Sequence, residues 1–152
     1  MEMLEDFKRE TEEIFEDMED VRMDRKEQKY LQRKAVDREK ELKQYISETE
    51  LRQHQIDQEL DAIEEEGSDS AEGAMNMVAG WADALVQEAA TLTFKQNLAR
   101  EEIRLQRILH KRAEEYEQRL SLEIEELELD LDTVSVQTSE EYELLRRTQV
   151  CS

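Results

Sequence analysis

The side chains that could do chemistry in this chain are few, and their spacing is poor for it. His54 and His110 could ligate a metal or move a proton. Neither stands in a His-x-x-x-His or Glu-x-x-His arrangement, which would set two ligands on one helical face. Acidic pairs such as Glu12-Glu13 and Glu125-Glu126 have the makings of an acid/base couple. Splitting their pKa values needs a desolvated pocket, which a two-helix rod does not offer. Asp69 to Gly73 begins like a calcium loop, but its twelfth position is Gly80 instead of a bidentate glutamate. Cys151 is a lone thiol, so it supports no disulfide framework and suits a reducing compartment. These residues give no catalytic, cofactor-binding or metal-ligating set and no site for a small-molecule substrate.

The elements that must carry the side chains explain why. Of 152 residues, 41% are charged, 38% hydrophobic and 5% aromatic, with no proline and three glycines. A compact domain needs turns, and turns draw on glycine and proline. High charge with low hydrophobicity also fits disorder, so periodicity decides between the two. Alternate steps of three and four from Leu4 give Phe7, Thr11, Ile14, Met18 and Val21. The same steps pass through Arg25, Gln28, Gln32, Ala35, Glu39 and Leu42, and end with Ile46, Thr49, Gln53, Ile56, Leu60 and Ile63. This is one seam over nine heptads, apolar at both ends and polar from Arg25 to Gln32.

The pattern breaks once, at residues 67–73, where Gly67 suits a helix end and Asp69 with Glu72 resembles a capping box. A second long helix follows over 74–132. Met75, Val78, Trp81, Ala82, Leu85, Ala89 and Leu92 share one face, and Trp81 reads as core at the turn end or as a binding residue. Asp83, Gln87 and Glu88 interrupt this stretch, so it is not a transmembrane span. From Leu98 the apolar residues continue as Leu105, Leu109 and Tyr116, then skip four to Leu120, Ile124, Leu127, Leu131 and Val134, which reads as a stutter. Residues 133–152 read as an irregular β-branched segment, then a short C-terminal helix opened by Thr138 and Glu141. The expected fold is all-α: two long helices of roughly 90 Å in an antiparallel coiled-coil hairpin, with a short C-terminal helix. A reversal at 69 or 70 sets Leu4 opposite Val134 and Leu60 opposite Val78.

Charge is zoned along the chain. Residues 1–20 hold ten acidic and two basic side chains, and residues 22–43 hold nine basic and five acidic. Residues 95–112 hold six basic and two acidic, net +4, and residues 114–132 hold nine acidic and one basic, net −8. The hairpin therefore sets acid beside acid and base beside base, a cost small beside that of exposing the seam. The formal net charge of −20 argues against nucleic acid and anionic membranes as partners. The acidic start carries no basic presequence, which points to an intracellular protein of the cytoplasm, cytoskeleton or nuclear envelope.

The segment Leu51-Arg-Gln-His-Gln-Ile-Asp-Gln-Glu-Leu-Asp-Ala-Ile-Glu64 resembles part of the coiled-coil domain of the sixty-two-kilodalton central-channel nucleoporin family. The resemblance implies a long helix that assembles with other coiled-coil chains, with Leu51, Ile56, Leu60 and Ile63 touching partner helices. The Phe-Gly repeats of that family are absent here.

The resulting expectation is a structural or scaffold subunit of cytoskeletal, ciliary or nuclear-pore type that binds other coiled-coil proteins, as a homo-oligomer or a hetero-complex. The alternative is an acidic adaptor that captures a basic protein. Residues 74–98 carry more apolar surface than one facing helix covers, so Val86, Phe94 and Leu98 are the expected contacts of a further chain.

Overall fold

The computed structural model describes residues 2–66 and 72–150, and every one of them is helical. Helix α1 spans Glu2–Glu66, helix α2 spans Glu72–Val150, and the two pack against each other. Frequent Glu, Leu, Arg, Gln and Lys, with no proline, let both helices run unbroken. The reversal expected at Gly67, with its Asp69 cap, lies outside the described residues, as does the side chain of Met75. Gly73 is already inside α2. The pair divides into two compact units, one made of residues 34–110 and the other of residues 1–33 with 111–152.

In the 34–110 unit the core is thin. Ala35, Leu42, Ile56, Leu85, Ala99 and Ile103 are buried, and Ile56 alone is fully so, at 0% exposure. Leu42 packs with Ala99 and Ile103, flanked by Tyr45 and Ile46. Facing partners climb α1 as they descend α2: Glu39 meets Arg107, Thr49 meets Gln96 and Arg52 meets Glu88. A reversal at 69 or 70 would have set Arg52 opposite Gln87 and Thr49 opposite Ala90, so the contacts lie one residue further along α2 at Glu88 and six further at Gln96.

In the other unit Val21, Leu120 and Ile124 form the core cluster, with Leu127 packed against it and Met18 and Ala113 also buried. Here α2 runs through residues 133–150 without a break, so neither the irregular segment nor the separate short helix exists. Two hydroxyls show how the poor helix formers are accommodated. Thr133 donates to the carbonyl of Leu129 at 2.9 Å, and Thr138 donates to that of Val134 at 2.7 Å. Thr138 thus bonds back into its own helix and caps nothing. Val134, Thr138 and Glu141 keep half-buried seam positions, so packing outweighs propensity.

Every position of the nine-heptad seam in α1 is buried or half-buried except Leu4. The seam of α2 departs from expectation between 96 and 117. Leu98, Leu105, Leu109 and Tyr116 are exposed. The inner face instead carries Gln96, Ala99, Ile103, Gln106, His110, Ala113 and Glu117, in steps of three and four that join Leu92 to Leu120 with no stutter. Apart from Leu42 and Ile46 on Ile103, the facing residues of both helices here are mostly polar or small.

Candidate interaction surface

Two polar layers organise the inner faces. In the 34–110 unit, buried Gln96 donates from Nε2 to Thr49 Oγ1 at 3.0 Å and to Gln53 Oε1 at 3.1 Å. Gln53 in turn donates to Thr93 Oγ1 at 2.7 Å, and the Thr49 hydroxyl bonds back to the carbonyl of Ile46 at 2.9 Å. In the other unit, Gln32 donates to Glu117 at 2.6 Å, with Arg25 at 3.7 Å and Lys29 at 3.9 Å from the same carboxylate. Polar seam layers of this kind fix register at some cost in stability.

On the flanks, individual ion pairs cross between the helices within the zoned pattern of charge. The minority carboxylates of the basic zones are set against cations of the opposite helix. Arg38 grips Glu102 through two bonds, at 2.9 and 3.1 Å. Arg52 holds Glu88 in the same way, at 2.8 and 3.0 Å. Arg107 reaches Glu39 at 2.8 Å, and Lys43 lies 3.3 Å from the same carboxylate. The Arg107 hydrogen bond lowers the Glu39 pKa, and the Arg52 bond lowers that of Glu88, each against a smaller opposing effect of desolvation. These pairs are exposed, so they set register and orientation more than they add stability.

With the inner face of α2 given to polar and small residues, its bulky apolar residues lie outside. Phe94 is 64% exposed and Leu98 55%, and Leu105, Ile108 and Leu109 are exposed as well. At 100° per residue these five fall within an arc of about 100°, nearly opposite Ile103 and the buried seam. That is the width of an apolar stripe that faces another helix. Glu101 interrupts it, held by Arg104 at 2.7 Å. No family model, curated protein or solved structure matches the chain. The function must be read from the surface itself.

The structure sorts the eight residues expected to bind a partner. Phe94 and Leu98 share the outer stripe, one turn apart. Val86 is exposed about 80° round the helix from Phe94, at the edge of the seam. Trp81 is half-exposed, which rules out the core role. On α1, Leu51 is 61% exposed, whereas Ile56 is fully buried and Leu60 and Ile63 are half-buried on the seam. Ile56 is spent inside the chain, and Leu60 and Ile63 are partly covered by its own seam. Leu105, Ile108 and Leu109 lie on the same exposed stripe and were not among the expected residues, Leu105 and Leu109 because they read as seam.

The residues first considered for chemistry are dispersed. His54 is exposed and bonded to Gln58 at 3.2 Å, and His110 is half-buried on the seam. Among the described residues no group of three or more His, Cys, Asp or Glu is placed to hold a metal ion. A groove lined by Phe15, Leu131, Ser135 and Tyr142 is open to solvent. No described helix is long and apolar enough to cross a membrane.

Proposed function

We propose that the chain is a non-enzymatic structural subunit, an antiparallel coiled-coil hairpin that binds further helices through the outer face of α2 in a cytoskeletal, ciliary or nuclear-pore scaffold. One observation carries this reading: Phe94, Leu98, Leu105, Ile108 and Leu109 lie exposed on one arc while α2 buries glutamines and alanines opposite. A lone hairpin gains nothing from that distribution, because rotating the leucines inward would bury more apolar area. An exposed apolar stripe of this kind, broken only by the Glu101–Arg104 pair, is the usual mark of a protein interface. The seam leaves Leu51 of the nucleoporin-like segment for such contacts on α1.

The test is affinity purification from the native source with wild type and with Phe94→Glu/Leu98→Glu. Helical partners in stoichiometric amount should co-purify with the wild type and be lost from the variant, while circular dichroism stays unchanged. Retention of those partners by the variant, with loss on neutralising Glu12, Glu13, Glu16 and Asp17, would place the interface at the acidic end and favour the adaptor.

A further inference from the structure

We propose that the outer stripe of α2 is covered by a second copy of this chain, through the acidic outer face of that copy's α2, in a staggered head-to-tail contact. The proposal rests on the preceding reading that this face binds helices, and it names the occupant. Charge selects it. The stripe is flanked by exposed Lys95, ends beside exposed Lys111 and Arg112, and lies almost wholly in residues 95–112, which carry net +4. Two copies meeting stripe to stripe would bring these two positive rims together. The chain itself supplies a better match. Leu122 and Leu129 are both exposed and stand seven residues apart, so they share one side of α2. Around them, residues 114–132 carry net −8. Glu123, Glu125, Glu126 and Asp130 are exposed and make no ion pair among the described residues.

An antiparallel pair would form both contacts at once and close at a dimer, whereas the proposed head-to-tail contact is heterologous. Each added copy leaves one free surface of each kind, and growth does not close at a dimer. Charge orients the approach and raises the association rate, and the leucines hold the contact.

Sedimentation velocity of the purified full chain tests this. The weight-average mass should rise with concentration past twice the 18.1 kDa of one chain. It should fall as salt is raised from about 0.1 to about 1 M, where the screening length shrinks from roughly 10 to roughly 3 Å. Leu98→Glu/Leu105→Glu and Leu122→Lys/Leu129→Lys should each weaken self-association at least tenfold while keeping wild-type helicity. Mixed together, the two variants should form a one-to-one dimer that grows no further, because each retains the surface the other lacks. A wild type that stays at single-chain mass or stops at a dimer overturns the proposal, and so does an assembly that survives the Leu122/Leu129 changes. If the wild type is a monomer and Phe94→Glu/Leu98→Glu still strips partners from the native complex, the functional reading stands and only the self-contact falls.

Discussion

Gln96 donates to Thr49 at 3.0 Å, and both side chains are buried between α1 and α2. The geometry binds the two helices at one relative height, because sliding by a heptad would strand the amide among apolar neighbours. Thr49 does not depend on the contact, since its hydroxyl also bonds its own helix at 2.9 and 3.0 Å.

Replacing Gln96 by Leu should therefore stabilise the helix pair while loosening its register. Gln53 lies near the surface and can turn to water, so the gain should be about 1 kcal/mol in urea unfolding. Spin labels at positions 38 and 102, in a Cys151→Ser background, should show a broader distance distribution in the variant. An unchanged distribution would mean that the polar layer does not set the register.

Ile56 and Leu51 lie within five residues of each other and should behave oppositely. Truncating fully buried Ile56 to Ala should cost about 2–5 kcal/mol. Leu51→Ala should stay within roughly 0.5 kcal/mol of wild type. Equal costs in urea melts of the isolated chain would contradict the inward and outward facing described above.

The Arg52–Glu88 pair predicts a pH-dependent difference. Glu88 titrates below its ordinary value in the folded chain because Arg52 donates to its ionised form. A depressed folded pKa contributes stability above the unfolded value and loses it as pH falls through the folded one. Glu88→Gln should thus melt below wild type at neutral pH, and the gap should close below the ordinary carboxylate range. A gap that persists at acid pH would assign the loss to packing. Lys43 and Arg107 act on Glu39 in the same sense.

How far the fold could be read from the sequence depended on where apolar residues mark the inner face. In α1 they do so at both ends, and the strict stepping carries the seam across its polar middle. In α2 the bulkiest residues between 96 and 117 lie on the wrong side, so following Leu98, Leu105 and Leu109 led outward. The decisive signal was continuity: stepping back from Leu120 by three and four reaches Leu92 through Gln96 without a skip. The pairing register was less accessible, because it follows from polar matches such as Gln96 with Thr49 more than from the glycines. At Thr133 to Thr138 local propensity argued for a break, and hydroxyl-to-carbonyl bonds within the helix removed the reason for one.

The cross-helix pairs also set an order of events for the folding chain. Arg52 and Glu88 are 36 residues apart, Arg38 and Glu102 are 64 apart, and Gln32 and Glu117 are 85 apart. Closing the widest of these loops from the open chain costs only roughly 0.8 kcal/mol more than closing the narrowest, since loop entropy grows with the logarithm of length. Once the narrow loop is closed, each later pair extends an existing zipper by up to about four turns. The 34–110 unit is then the natural nucleus, and the termini join last. Native sequence separations overstate the search such a chain must make, so it should fold faster than its contact order alone suggests.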